Sequence, residues 1–325
     1  MTVAFLAGLG EVGVRAARQL TETPGIDAVV IAATPSKRTE DVLASLGDRV
    51  RLVQWQPGAD LPDGCDVAVA ALPGELDRTV AEAAVARGVP AVVATDRGDV
   101  AEAIGELDGA ARRAGVAVAV GAGMAPGLSC VLAAHAATLF DELIEIRVAR
   151  CGIAGDASER SAREELRPMP LVRRAGKWVR GARLEELEWF PEPIGARDCQ
   201  LVGAGGPLLA RLFPAIERVT WSMAEPVKVR KGMRRVDPDD GWGAIRVEVF
   251  GRRGGAVDSV VYGVVDRTAL AAGATLAVAA AHVVARDPAM SGVGSLAAFV
   301  DPVPFLHDLA ARGVKAAAFE GAAPI

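Results

Sequence analysis

The chain has 325 residues, a length that suggests two domains or one large domain with an insertion. Hydrophobic residues make up 51% of it and charged residues 24%, which excludes a disordered or collagen-like chain. The net charge of -5 argues against a nucleic acid or an anionic membrane as the main partner.

The first 127 residues predict a parallel β-sheet with helices on both faces. An apolar strand at Val3–Ala7 comes first, and a segment with helical periodicity begins at Val14. Further strands are predicted at 28–33, 50–54, 67–71, 91–94 and 116–120, and further helices at 40–46, 74–87 and 100–114. Because strands alternate with helical segments, we predict the α/β class and a doubly wound Rossmann fold.

A glycine motif, Gly8-Leu9-Gly10-Glu11-Val12-Gly13, joins the first strand to the first helix. Gly8 permits a tight turn, Gly10 lets the backbone approach a pyrophosphate, and Gly13 lets the helix pack closely on the strand. The helix N-terminus adds N–H groups and a dipole that attract an anion. The motif therefore predicts a dinucleotide site that includes Glu11 and Val12, and a glycine-rich turn without a ligand is the alternative.

The segment after the second strand indicates which dinucleotide fits. NAD-binding sites usually have Asp or Glu there to accept a hydrogen bond from the ribose 2′-hydroxyl group. This chain has Thr34, Ser36, Lys37 and Arg38 instead. A hydroxyl group and two cations can bind a 2′-phosphate through charge-assisted hydrogen bonds, so we predict NADP(H) in preference to NAD(H). The alternative is a solvated loop.

Two further loops follow strands at the edge of the sheet where ligands bind. We expect Ala71-Leu72-Pro73 to run beside the pyrophosphate and ribose of the cofactor. Thr95 and Asp96 follow the fifth strand, and Asp96 is the carboxylate best placed to contact the nicotinamide or the substrate. Its alternative role is to cap the helix that begins after Gly98.

The sixth strand ends in Gly121-Ala122-Gly123-Met124-Ala125-Pro126-Gly127-Leu128-Ser129-Cys130, followed by a helical segment. This stretch resembles the end of the Rossmann domain in the saccharopine dehydrogenase-like family, which includes lysine 6-dehydrogenases and saccharopine reductases. The tract at 65–73 follows the same pattern, and so do the stretches at 246–251, 262–267, 272–277 and 302–314. The segment from about Gly152 to Pro170 departs from it.

The resemblance implies an NAD(P)-dependent oxidoreductase that moves a hydride between the nicotinamide and the carbon of an amine or amino acid, through an imine. It also implies a mixed α/β second domain and a homodimer or larger homo-oligomer, and we place Pro126 among the cofactor contacts. We therefore expect an NADP(H)-dependent enzyme acting on the CH–NH or C=N bond of a small amino-acid-like or amine substrate. An enoyl-type reductase of C=C bonds and a non-catalytic dinucleotide-binding protein remain alternatives.

The second half predicts a mixed α+β domain. Strand-like segments at 142–150, 216–223, 244–251 and 257–265 indicate an antiparallel sheet with helices on one face. We divide the chain into a Rossmann domain at 1–127, a substrate and oligomerisation domain at 128–268, and a helical segment at 269–325. The final helices are expected to pack back on the first domain. The apolar stretch at 269–285 is shorter than the roughly 20 residues of a membrane span, so we predict a buried helix.

Two charged residues are candidates for the chemistry. Asp96 would take the proton of an amine, and Arg150 would hold a carboxylate of the substrate. An ion pair of Arg150 with Asp156 or Glu159 is the alternative.

The basic stretch Lys228-Val229-Arg230-Lys231-Gly232-Met233-Arg234-Arg235 indicates a solvated loop or a contact with an acidic substrate or carrier protein. The four cysteines lie far apart, with no histidine at metal-ligand spacing, so we expect reduced thiols, no metal site and a cytoplasmic location.

Overall fold

The computed structural model describes residues 1–227, 240–286 and 289–319, and the backbone alone of 229–231 and 234–236. Lys228, Gly232 and Met233 of the basic stretch lie outside the described residues. The side chains of its other residues, Val229, Arg230, Lys231, Arg234 and Arg235, are not described either. The two functional interpretations of that stretch stay predictions.

The first sheet has seven parallel strands in the order β17-β6-β5-β4-β1-β2-β3. They are β1 (Val3–Ala7), β2 (Ala28–Ala32), β3 (Val50–Val53), β4 (Val67–Ala70), β5 (Ala91–Val93), β6 (Ala117–Val120) and β17 (Gly292–Ser295). The predicted doubly wound parallel sheet is confirmed. The seventh strand was not predicted, because a four-residue segment with two glycines carries little strand signal.

Helices cover both faces of this sheet. They are α1 (Glu11–Glu22), α2 (Lys37–Leu46), α3 (Leu76–Arg87), α4 (Gly98–Gly105), α5 (Asp108–Ala114), α6 (Leu128–Ala137) and α9 (Thr268–Ala285). Successive residues of β1 point into two different apolar layers: Leu6 lies in one with residues of α1, α6 and α9, and Phe5 in the other with residues of α3 to α5. Strands buried on both faces explain the continuous apolar runs of the sequence.

The second sheet has nine strands and is mixed. They are β7 (Glu142–Cys151), β8 (Leu171–Arg174), β9 (Lys177–Arg180), β10 (Glu185–Trp189), β11 (Ala196–Leu201), β12 (Arg218–Ala224), β15 (Trp242–Arg253), β16 (Ala256–Arg267) and β18 (Ala316–Phe319). A separate hairpin pairs β13 (Val229–Lys231) with β14 (Arg234–Val236). The remaining helices are α7 (Asp156–Glu165), α8 (Gly206–Leu212), α10 (Pro302–Ala311) and a 3₁₀ turn at Leu296–Ala298.

Two predictions about these elements are wrong. The second sheet is not antiparallel throughout, because β12 runs parallel to β7, and the alternation of apolar residues carries no information on strand direction. The predicted helix at 100–114 is two helices, α4 and α5. The break follows Gly105, a poor helix former, over which the Arg211 guanidinium packs 2.7 Å from the position that a Cβ atom would take.

The apolar helix α9 is buried, as predicted. By length and composition it is the one helix of the described residues that could cross a membrane. It packs on α1 and on the core of the protein instead, and its residues from Ala271 to Ala280 are buried. A helix that is apolar on all sides is expected in such a position.

Candidate active site

One cleft of about 900 Å³ lies at the carboxyl ends of the parallel strands and is lined by both domains. Most of the predicted site residues line it: Gly8, Gly10, Glu11, Val12, Thr34, Ser36, Arg38, Ala71, Leu72, Pro73, Thr95, Asp96, Pro126 and Arg150. Gly13 and Lys37 are not part of the lining. The fold therefore brings together predicted site residues that are up to 142 positions apart in the sequence, from Gly8 to Arg150. They lie at the edge where ligands of open parallel sheets bind.

The glycine motif forms the turn between β1 and α1. Gly8 has a φ of +100°, and a Cβ atom on it would lie 2.5 Å from the Ala71 carbonyl oxygen. A Cβ atom on Gly13 would lie 2.0 Å from the Gly8 carbonyl oxygen, so only glycine at position 13 lets α1 pack this closely on the turn. A Cβ atom on Gly10 would have no neighbouring atom within 4 Å, and no side chain caps the N-terminus of α1. The free N–H groups of this helix can therefore bind an anion.

The loop after β2 brings a second helix N-terminus, that of α2, to the lining of the cleft. Ser36 caps α2, and its Oγ atom accepts a hydrogen bond of 3.1 Å from the Thr39 backbone N–H. Lys37 is the first residue of α2 and is exposed outside the cleft. The Arg38 guanidinium forms an ion pair of 2.8 Å with Glu11, which also pairs with Arg15 at 2.8 Å. Glu11 therefore contributes a negative charge next to this loop.

A residue that sequence reasoning missed, Asp77, supports the loop after β4. Its Oδ1 atom accepts a hydrogen bond of 2.9 Å from the Leu72 backbone N–H, and its side chain lines the cleft. Asp77 is 1% exposed, and burial raises its pKa to about 7, with the Asp96 carboxylate contributing in the same direction. An aspartate in the first turn of a helix is ordinary in a sequence, so no local signal indicated that this one is buried.

Asp96 and Arg150 meet at the boundary of the two domains. Arg150 is 6% exposed, and its Nη2 atom lies 3.7 Å from Asp96 Oδ2. Among the described residues, the ion pair of Arg150 is thus with Asp96. Burial raises the pKa of Asp96, while the charge of Arg150 and a hydrogen bond with Ser161 oppose this shift.

Two nitrogen atoms of the Arg150 guanidinium group donate no hydrogen bond to any described residue. Its Nε and Nη2 atoms are buried and have no hydrogen-bond partner among the described residues. These two atoms form one edge of the guanidinium group, and this edge binds a carboxylate through two parallel hydrogen bonds. Because buried donors are nearly always paired in folded proteins, the edge is suited to a ligand.

Helix α7 of the second domain is attached to the first domain beside this pair. Glu165 Oε1 accepts a hydrogen bond of 2.7 Å from the Gly98 backbone N–H, and Glu164 forms an ion pair with Arg97. Glu165, not Asp96, therefore provides the acceptor at the start of α4. Burial raises the pKa of Glu165, with the Gly98 N–H group opposing the shift.

Cys151 follows Arg150 but faces the opposite side of the second sheet. It lies in an apolar cluster with Cys199, Phe190 and Ile194, and it does not line the cleft. Within the described ranges, no group of three His, Cys, Asp or Glu residues could hold a metal ion. The polar groups that converge on the cleft are therefore carboxylates, hydroxyl groups, arginines and backbone N–H groups.

No protein-family model matches the chain. Solved structures with the same fold include saccharopine dehydrogenase (L-Glu forming) from Saccharomyces cerevisiae, with a TM-score of 0.69 and 13% identity over 98% of this chain and 100% of that one. Another is C. glutamicum DAP dehydrogenase in complex with DAP, with a TM-score of 0.53 and 15% identity over 96% of this chain and 98% of that one. These likenesses confirm the fold that the sequence resemblance implied.

Proposed function

We propose that this protein is an NADP(H)-dependent oxidoreductase that acts on the CH–NH or C=N bond of an amino-acid-like or amine substrate. One observation carries the proposal: a single cleft is lined both by an uncapped glycine-rich helix N-terminus and by the buried Arg150, whose Nε and Nη2 atoms have no partner among the described residues. The two proteins of the same fold named above are dehydrogenases of saccharopine and of DAP, which is consistent with this chemistry.

The residues of the cleft fit a dinucleotide. The N–H groups at the start of α1 would bind the pyrophosphate, and Gly10 leaves the space for it. Ser36 and Arg38, at the N-terminus of α2, would bind a 2′-phosphate, and no carboxylate occurs between Ala33 and Arg38. When bound, the nicotinamide supplies or accepts the hydride, so the protein has to orient the substrate and manage its charges.

Asp96 and Arg150 are suited to the two charged groups of an amino acid. The Arg150 edge would bind the carboxylate, and Asp96 would hold the ammonium group and take its proton. Burial raises the pKa of Asp96 and so makes it a better base than an exposed aspartate, while Arg150 limits the shift. Helix α7 covers this region and would exclude water from it, since Ala157, Ser158 and Ser161 line the cleft.

Cofactor preference tests the first part of the proposal. We expect NADP⁺ to bind more tightly than NAD⁺, and Arg38→Ala to weaken NADP⁺ binding by about tenfold with little effect on NAD⁺, because only NADP⁺ has the 2′-phosphate. Isothermal titration calorimetry with both nucleotides measures this. Lys37→Ala is the matched control, because Lys37 lies outside the cleft lining and its loss should change binding far less. Tighter binding of NAD⁺ by the wild-type chain would contradict the NADP assignment.

The alternative functions, an enoyl-type reductase and a non-catalytic dinucleotide-binding protein, make different demands on the cleft. An enoyl-type reductase needs a wide apolar cleft, whereas Arg150, Asp96 and Asp77 contribute charged or polar groups to this one. A screen that follows nicotinamide absorbance separates the cases, with lysine, other ω-amino acids and imine-forming mixtures of aldehydes and amines as substrates. Turnover of an amine or imine supports the proposal. Cofactor uptake without turnover across the screen favours the non-catalytic alternative.

A further inference from the structure

The hydroxyl group of Thr268 lies at the cleft without a hydrogen-bond partner. Thr268 is the first residue of α9, is 8% exposed, and lines the cleft. Its backbone N–H donates a hydrogen bond of 2.8 Å to the Gly241 carbonyl oxygen, but its Oγ1 atom is buried and has no partner among the described residues. A buried hydroxyl group is normally hydrogen-bonded, since an unpaired one loses its interaction with water without compensation.

Two glycines create the space that this hydroxyl group occupies. A Cβ atom on Gly243 would lie 2.3 Å from Thr268 Oγ1, and one on Gly152 would lie 2.8 Å from it. The Cβ atom on Gly152 would also lie 2.4 Å from the Gly243 Cα atom. Any larger residue at either position would displace the threonine side chain, so the two glycines and Thr268 form one local arrangement.

Strand register places Thr268 on the same face of the second sheet as Arg150. In the antiparallel pair of β7 and β15, Arg150 lies opposite Ile245 and Cys151 lies opposite Ala244, so the next residues, Gly152 and Gly243, face each other. Alternate residues of a strand share a face, so Gly243 of β15 lies on the face of Ile245, which is the face of its partner Arg150. The Thr268 hydroxyl group lies against both glycines. Thr268 and Arg150 therefore line the same cleft from one face of the second sheet.

We propose that Thr268 binds the carboxylate of the substrate as a third donor beside Nε and Nη2 of Arg150. A carboxylate has about four acceptor positions on its two oxygens, and the arginine edge uses two of them. The Thr268 hydroxyl group donates to a third. Asp96, whose Oδ2 atom lies 3.7 Å from Nη2 of Arg150, attracts an ammonium group beside that carboxylate.

This inference rests on the proposed function and narrows its substrate class. A ligand with a carboxylate next to an amino group satisfies Arg150, Thr268 and Asp96 together. A simple amine leaves the arginine edge and the hydroxyl group unpaired, which costs binding free energy. The substrate class is therefore α-amino acids and the corresponding imino acids rather than amines without a carboxylate.

Calorimetry with a matched pair of probes tests the inference. The full chain, saturated with NADP⁺, is titrated with L-norleucine and with 1-pentylamine, which is the same molecule without the carboxylate. We expect Thr268→Val, which keeps the shape but removes the hydroxyl group, to raise the Kd of norleucine at least about tenfold. Thr268→Ser keeps the donor and should stay within about threefold of the wild type. The Kd values of pentylamine and NADP⁺ should not change in either variant.

The outcomes separate this inference from the proposed function. An unchanged norleucine Kd in Thr268→Val overturns the inference, and so does a wild-type chain that takes up NADP⁺ but binds no norleucine. A chain that takes up no NADP⁺ overturns the proposed function itself, and the inference with it. A thermal melt of each variant checks folding. If the valine variant does not fold, Thr268→Ala replaces it with the same expected loss.

Discussion

The pKa of the Asp77 carboxyl group is determined by the buried position of this residue in the fold. Burial raises its pKa from 3.8 to about 7, and the Asp96 carboxylate adds to the shift, whereas the Leu72 N–H group opposes it. Between these two pH values the folded protein holds a proton that the unfolded chain has released. The stability contributed by this proton is fully present below pH 3.8 and is lost as the pH rises toward about 7.

Replacing Asp77 with asparagine should therefore flatten the pH dependence of stability. The asparagine side chain would still accept the hydrogen bond from Leu72, but it would not ionise. We expect Asp77→Asn to have a higher Tm than the wild type at pH 8, with the difference shrinking as the pH falls to 4. Thermal denaturation at a series of pH values measures it. Asp41→Asn, at an exposed aspartate of α2, is the control and should follow the wild-type curve. A wild-type pH profile in Asp77→Asn would show that Asp77 does not hold this proton.

At the scale of elements, the crossing of α1 and α9 connects the cofactor loop to the rest of the fold. The two helices approach closely at Gly273, where a Cβ atom would lie 2.6 Å from Arg15 Cβ and 2.8 Å from the Ala16 backbone nitrogen. The first of these neighbours is the stem of a side chain and the second is backbone, so neither can move alone. Gly273 therefore sets the distance between the helices, and with it the position of the α1 N-terminus at the cleft.

Substitution of Gly273 by alanine should destabilise the protein although alanine favours helices. The helix gains about 1 kcal/mol from alanine. The overpacking of α1 against α9 costs about 1–3 kcal/mol and should outweigh this gain. We expect a lower urea midpoint for Gly273→Ala. Gly109→Ala in α5 is the control, because its Cβ atom would meet only the tip of Arg113 at 3.6 Å, and it should be neutral or slightly stabilising. Equal midpoints for the two variants would contradict the close crossing.

At the scale of the whole molecule, the chain completes its first sheet only near its end. Strand β17 pairs with β6 in parallel, with Gly292 opposite Ala117 and Ser295 opposite Val120. The apolar layer on one face of the sheet combines residues of β1, α1 and α9. The first sheet and its covering helices are therefore built from two parts of the chain, with the second sheet formed largely by the residues between them.

A fragment of residues 1–127 should therefore not fold cooperatively. It lacks β17 and α9, so the edge of β6 and the apolar face of α1 would be exposed to water. We expect a chimaera that joins residues 1–137 to residues 268–319 through a flexible linker to melt cooperatively and to bind NADP⁺. Circular dichroism melts and calorimetry compare the two. A cooperative melt of the 1–127 fragment with NADP⁺ uptake would contradict this expectation.

Local sequence patterns were sufficient to predict much of the structure of the first domain. The apolar runs of β1, β2 and β4, and the glycines at 8, 10 and 13, determined the parallel sheet and the turn at its edge. A strand buried on both faces and a turn with a positive φ at Gly8 each depend on a few neighbouring residues, so the sequence carries them directly.

Contacts between residues that are far apart in the sequence decided the features that local patterns did not predict. The direction of β12, the pairing of β17 with β6, the burial of Asp77 and the ion pair between Asp96 and Arg150 each join segments that no local pattern connects. The same holds for Thr268, an ordinary residue in the sequence whose hydroxyl group reaches the cleft only because Gly152 and Gly243 meet beneath it. Periodicity reports which residues an element buries, but the partner of a buried polar group depends on how the elements pack.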